Sequence, residues 1–171
     1  TLKNIRIRPV GSIEEDLILN LAKSTLLVDL MKLCPIPDLE LELVFRKLRA
    51  AILLGLSSFS ESKKVLSFQA ALALQCILNE YIYPQSIEES EALAGLEKRV
   101  NDSLSCGEQP PPQEILCLAS YKSLNKLEWG HLIISNSSID EVFRRQIEEP
   151  RKERDLAEKN KIHRIQDHSV L

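Results

Sequence analysis

The sequence is poor in the residues that mark specialised protein classes. It holds four cysteines, five glycines, three histidines and 5% aromatic residues in 171 positions. Cys34, Cys76, Cys106 and Cys117 form no C-x-x-C pair, and no histidine stands at ligand spacing from any of them. A structural zinc site needs close pairs of such ligands, so none is expected. So few cysteines in a chain this long also argue against a disulfide framework. They read as free thiols, three of them in apolar surroundings (Cys34, Cys76, Cys117), which suits a cytoplasmic protein. The scattered glycines leave no G-x-G-x-x-G and no Walker loop, hence no phosphate cradle. H-E-x-x-H is absent too. His163 and His168 fall in a charged tail, and His131 follows Trp129-Gly130; all three read as exposed or half-buried residues. Long hydrophobic runs are also missing. The most apolar stretch, Val65 to Ile82, carries Gln69, Gln75, Asn79 and Glu80, whereas a membrane span takes about 20 mostly apolar residues. Glu14, Glu15, Asp16 and Asn20 interrupt the early apolar residues, so no signal peptide is expected. The net charge of −3 gives no support to a nucleic-acid-binding surface.

What the chain does have is apolar side chains, 44% of the total. A chain of this length buries about 70% of its unfolded surface, so an ordinary core needs no staples. The periodicity predicts an all-α protein, an irregular multi-helix bundle around a central apolar helix at about residues 63–83. Residues 1–148 read as the helical domain, with a linker at 105–112 where three prolines follow Cys106-Gly107. Residues 149–171 read as a charged connector or tail, its basic and acidic residues balanced.

Three Ser-x-x-Glu patterns, Ser12 to Glu15, Ser86 to Glu89 and Ser138 to Glu141, read as capping boxes. In each, the serine oxygen accepts from a free N–H of the first turn while the glutamate reaches back. Helices are therefore expected from about Ile13 to Lys23, Ile87 to Leu104 and Ile139 to Glu148. Leu26 to Leu33 ends at Cys34-Pro35-Ile36-Pro37, and Asp38 caps a helix from Leu39 to about Leu56. On it Leu41, Val44, Leu48, Ala51 and Gly55 recur at helical spacing, with Arg46, Lys47 and Arg49 read as a solvated face. Pro84 is expected to end the central helix, and Pro150 to break or redirect the last one. Glu114 to Leu124 reads as helix, and Glu128 to Ile134 as either helix or strand.

The unusual chemistry lies on the central helix, where Gln75, Asn79, Glu80 and Tyr81 interrupt an apolar surface. Gln75 and Asn79 are four apart and share a face. A buried polar group without a partner costs about 1–3 kcal/mol, so these must find partners. They read either as a structural network holding loops and helix ends, or as the lining of a polar pocket. Contact with backbone groups would mark the first, and a cavity the second. The clusters Arg46-Lys47-Arg49 and Arg144-Arg145 read as solvated faces. No catalytic, cofactor-binding or metal-ligating residue emerges.

Two segments carry a resemblance. Ser24-Thr25-Leu26-Leu27 through Pro35-Ile36-Pro37-Asp38 and on to Ile52 is one. Leu66 to Tyr83, which resembles an "F-CALA-QCFINEYVF" pattern, is the other and the more specific. Together they resemble the helical region of bacterial tetratricopeptide-repeat proteins that carry a class I S-adenosylmethionine-dependent methyltransferase domain. Weaker likenesses are Leu118 to Leu124, the set Gln146, Glu149, Pro150 and Glu153, and the pair Ile165 and Asp167. Leu2 to Pro9 is similar to the end of a repeat, giving a candidate repeat-like start over residues 1–23. The resemblance implies a non-catalytic helical domain, docking the catalytic domain or helping present substrate. S-adenosylmethionine is then implied only for a catalytic domain that this chain lacks. The partner is that domain of the same polypeptide, or another protein, with no nucleic acid and no membrane. A stand-alone helical interaction module and an enzyme with a polar pocket on the central helix remain as alternatives.

Overall fold

The structure is a computed structural model that describes residues 9–167, apart from the side chains of Ser12 and of residues beyond 160. It is all-helical. The helices are α1 (Glu15–Ala22), α2 (Thr25–Leu33), α3 (Leu39–Leu54), α4 (Lys63–Leu78), α5 (Ile87–Ser105), α6 (Pro112–Ala119), α7 (Asp140–Phe143) and α8 (Glu149–Asp167). Short 3-10 turns lie at Val10–Ser12, Leu56–Ser58, Leu124–Lys126 and Gly130–Leu132. Among the described residues there is no strand, and no helix is long and apolar enough to cross a membrane.

Helix α4 is central because it is apolar on every side. Val65, Phe68, Ala71, Ala73, Leu74 and Cys76 are fully buried, and α1, α2, α6 and α7 all pack on it. Helix α3 packs on α5, and both meet α6, which closes the bundle. The apolar face expected on α5 is buried as Leu93, Leu96 and Val100. Each fully buried Leu or Phe contributes about 1.5–3 kcal/mol from area alone.

The helix ends show which local signals govern. Asp38 Oδ1 accepts from Leu41 N at 2.9 Å and starts α3. Ser86 and Glu89 form a complete capping box. In the other two the serine is not the N-cap residue. Helix α1 is capped at Glu14, and Glu15 instead accepts from the backbone N and the hydroxyl of Ser60, each at 2.6 Å. Helix α7 starts after Ile139 with no side-chain cap, and Glu141 pairs with Lys32 at 2.9 Å. In both cases a partner from a distant element outbids the local reach-back.

Four further expectations need correction. The central helix stops at Leu78, before Pro84, for reasons given below. The linker is shorter than 105–112, since Ser105 belongs to α5 and Pro112 opens α6. There Gly107, at φ +80°, closes α5 with Gly107 N donating to Leu104 O and Glu108 N to Ser103 O. Residues 128–134 are neither a helix nor a strand of any length. They turn around Gly130, where an added Cβ would lie 2.1 Å from Leu124 O, so only glycine fits. Pro150 does not break the chain. A π-helical turn over Arg144–Glu148 precedes it and joins α7 to α8, absorbing the bond a proline cannot donate. Residues 1–8 of the candidate repeat-like start lie outside the described residues, as do His168, Ser169, Val170 and the side chain of His163.

Candidate functional site

Gln75 sits on the last turn but one of α4 and is fully buried. Its amide, oriented as its neighbours require, donates to Met31 O at 3.2 Å and Cys34 O at 3.1 Å. Its oxygen accepts from Ile36 N at 3.1 Å and Asn79 Nδ2 at 3.2 Å. One side chain thus satisfies the end of α2 and the proline-flanked link that follows it. That link has no ladder or helix of its own to hold it, so the buried amide replaces them. Asn79 Nδ2 also donates to the Tyr83 hydroxyl at 2.8 Å.

Asn79 is where α4 ends. Glu80 N donates to Ile77 O at 3.0 Å and Tyr81 N to Cys76 O at 2.9 Å, the bond pair of a Schellman stop. The left-handed position of this motif normally takes glycine. Here Glu80 (φ 54°) and Tyr81 (φ 58°) both occupy it, one after the other. Each such non-glycine residue costs about 1–2 kcal/mol, so the surroundings must hold the turn in place. Glu80 is exposed and Tyr81 half-buried. Glu80 is therefore not in the interior with Gln75, because the turn swings it outward.

What holds the turn is Arg49, on α3 and 1% exposed. Its Nη2 donates to Tyr83 O at 3.3 Å and to Pro84 O at 3.1 Å. The guanidinium lies 4.1 Å from the centroid of the Tyr121 ring and 5.5 Å from that of Tyr83. Its counter-ion is Glu89, 3% exposed, with Oε1 3.6 Å from Nη2. The same oxygen accepts from the Tyr121 hydroxyl at 2.6 Å, and Oε2 accepts from Ser86 N at 2.8 Å. Glu89 therefore caps α5, neutralises a buried arginine and anchors α6's end in one residue.

The expectation that Arg49 lies on a solvated face with Arg46 and Lys47 is overturned. Phe45, Arg49 and Leu53 run at helical spacing, and all three are buried. That phase was the available signal, masked by the run of three bases. Glu89 is hidden for a similar reason, since its capping role alone accounts for its position in the sequence.

Burial keeps the phenols and the thiol around this ion pair protonated. Burial pushes the Tyr83 hydroxyl up to about 12, against the opposing hydrogen bond from Asn79. Burial, and the bond to the Glu89 carboxylate, hold Tyr121 well above the ordinary phenol range, so it stays a donor. Burial likewise pushes the Cys76 thiol, which stands beside Arg49, up to about 12. Tyr81 rises through burial, with Ser123 the polar group that opposes it.

Gln75 and Asn79 come together, Arg49 and Glu89 meet beside Tyr83, and none of the four lines either of two grooves. A groove of about 370 Å³ between Val10, Ile13, Ala51 and Phe59 lies elsewhere, and so does one of about 420 Å³ between Lys32, Ser67, Ser138 and Asp140. A second buried glutamine ties the other side of α6, where Gln146 accepts from Leu124 N and donates to Ala119 O, each at 3.1 Å. Arg144 pairs with Glu149 on the surface and does not approach Arg49. His131 is exposed, with Nδ1 2.8 Å from Glu128 O. Cys76 and Cys117 are buried and Cys106 is exposed, all as free thiols. The glycine-rich strand-to-helix turn on which class I methyltransferases hold S-adenosylmethionine has no counterpart among the described residues. No protein-family model, no curated protein and no solved structure matches the chain.

Proposed function

We propose that this chain is a non-catalytic helical module that works by holding another protein surface. In the form its resemblance implies, it is the helical domain of a methyltransferase-type protein, seating the catalytic domain or helping present its substrate in the cytoplasm. The observation that supports this is the use made of the segment carrying the resemblance. Gln75, Asn79 and the residues bonded to them reach backbone groups and one another, and so fix helix ends in place. A polar pocket for chemistry would instead leave such groups facing a space where a substrate can enter.

The test is capture of the native protein from its source cells with an antibody against this domain, followed by intact-mass measurement. A polypeptide far heavier than 19.4 kDa that also retains S-adenosylmethionine is the expected result. Methyl transfer by this 171-residue chain alone, above background, would overturn the proposal. The stand-alone interaction module is the second reading, favoured by the exposed apolar side chains of α2, α3 and the turn after α4. A native mass near 19.4 kDa with a retained protein partner would select it.

A further inference from the structure

The bonds made by Gln75 and Arg49 bring two segments to one end of the bundle, residues 33–43 and residues 79–91. The first joins α2 to α3, and the second joins α4 to α5. Beneath them lies the buried polar cluster. On their outer side the molecule exposes Leu33 (69%), Leu39 (79%), Leu43 (45%), Ile82 (65%) and Ile87 (77%). Single exposed leucines are ordinary, but a concentration of them on one end marks a contact surface. The charge is as one-sided as the apolar content. Asp38, Glu42, Glu80, Glu88 and Glu91 fall in these segments, and neither segment holds a lysine or an arginine. Arg49, beneath, pairs with Glu89, and Lys32, which precedes the first segment, pairs with Glu141.

We infer that this end docks a basic amphipathic helix of a partner protein, its apolar stripe on the exposed leucines and isoleucines and its Lys and Arg residues against the acidic rim. Charge complementarity selects this occupant over the others. A second copy meeting the first end to end would bring two acidic rims together, and an anionic membrane would repel the same rim. The polar cluster supplies the stiffness. The apolar side chains of the turn are presented on a backbone already fixed by Arg49 and Gln75, so little ordering remains to oppose binding. This inference rests on the reading that the chain works by holding protein, and not on the methyltransferase likeness.

The test uses the full chain and two synthetic helical peptides with the same leucine stripe, one flanked by Lys and Arg, the other by Glu. Binding is read by fluorescence anisotropy, and the site by amide NMR shifts. The basic peptide is expected to bind, to shift residues of the two segments, and to weaken about tenfold or more when salt rises from about 50 to 500 mM. Leu39→Glu and Ile82→Glu, both at exposed positions, are expected to weaken it about tenfold each with the helical circular dichroism unchanged. Equal binding of the acidic peptide, shifts confined to another face, or no binding by the basic peptide would overturn the inference. Concentration-dependent dimerisation abolished by Leu39→Glu would overturn it in favour of a second copy. Binding to anionic vesicles abolished by the same change would do so in favour of a membrane. None of these outcomes bears on the native mass, so the two proposals fail separately.

Discussion

At the scale of single residues, three glutamines with similar burial have different energetic roles. Gln75 and Gln146 serve backbone groups that nothing else reaches. Gln69 is 2% exposed, and neither amide atom finds a partner. Gln75→Leu should therefore destabilise by about 2–4 kcal/mol, since it strands the carbonyls of Met31 and Cys34 and the N–H of Ile36. Gln69→Met, near in volume, should stabilise by about 1–2 kcal/mol, because it removes a desolvated amide. Urea unfolding of the two variants beside the parent decides both, and a stabilising Gln75→Leu would contradict the tie. The sequence showed that Gln75 and Asn79 must have partners, and backbone contact was the outcome that marks a structural role. It did not show which glutamine would go without. That depends on the link after α2, extended at Cys34 and Asp38 and set by tertiary packing and not by spacing along α4.

At the scale of elements, helix starts were legible where the capping side chain had no rival, as at Asp38 and Ser86. They were misread where a remote group competed, as Ser60 does for Glu15 and Lys32 for Glu141. Helix stops were harder. The apolar pattern of α4 runs on to Tyr83, and Pro84 is the visible breaker, yet the helix ends at Leu78. The stop is the Schellman pair made by Glu80 N and Tyr81 N, left-handed residues that the apolar pattern does not announce, and Arg49 holds the carbonyls of Tyr83 and Pro84 just beyond it. Glu80 is exposed and left-handed, so Glu80→Gly should relieve strain without losing a contact. A gain of about 1 kcal/mol is expected in thermal or urea unfolding. A loss of comparable size would mean that the turn is unstrained or that Glu80 serves the fold directly.

At the scale of the whole molecule, all-α architecture and a central buried helix were readable from periodicity, while the buried ion pair was not, because Arg49 and Glu89 meet only once α3 and α5 pack. The buried acids set the response to pH. Cys76 and Cys117 ionise near 9.0 when free and near about 12 when folded, and Tyr83 moves from 10.0 to about 12. Between those values the unfolded chain has lost protons that the folded chain keeps, so stability is full below about pH 9 and falls as pH rises toward about 12. Glu15 acts in the opposite direction. Its bonds to Ser60 hold its carboxyl below the usual carboxylate range, so its contribution is present at neutral pH and is lost on acidification. Urea midpoints across pH should show both flanks, and a midpoint unchanged from pH 8 to 11 would contradict the burial of the thiols and Tyr83. The polar cluster is the tie that holds the end of the bundle. The direct measurement is a double-mutant cycle on the 171-residue chain, Arg49→Met, Glu89→Gln and both together, followed by urea unfolding. Each single change should cost about 3–5 kcal/mol, since it leaves a buried charge or carbonyls unpaired. The pair should couple by about 2 kcal/mol or more. Single changes within about 0.5 kcal/mol of the parent, with no coupling, would show that these residues are kept for something other than the fold.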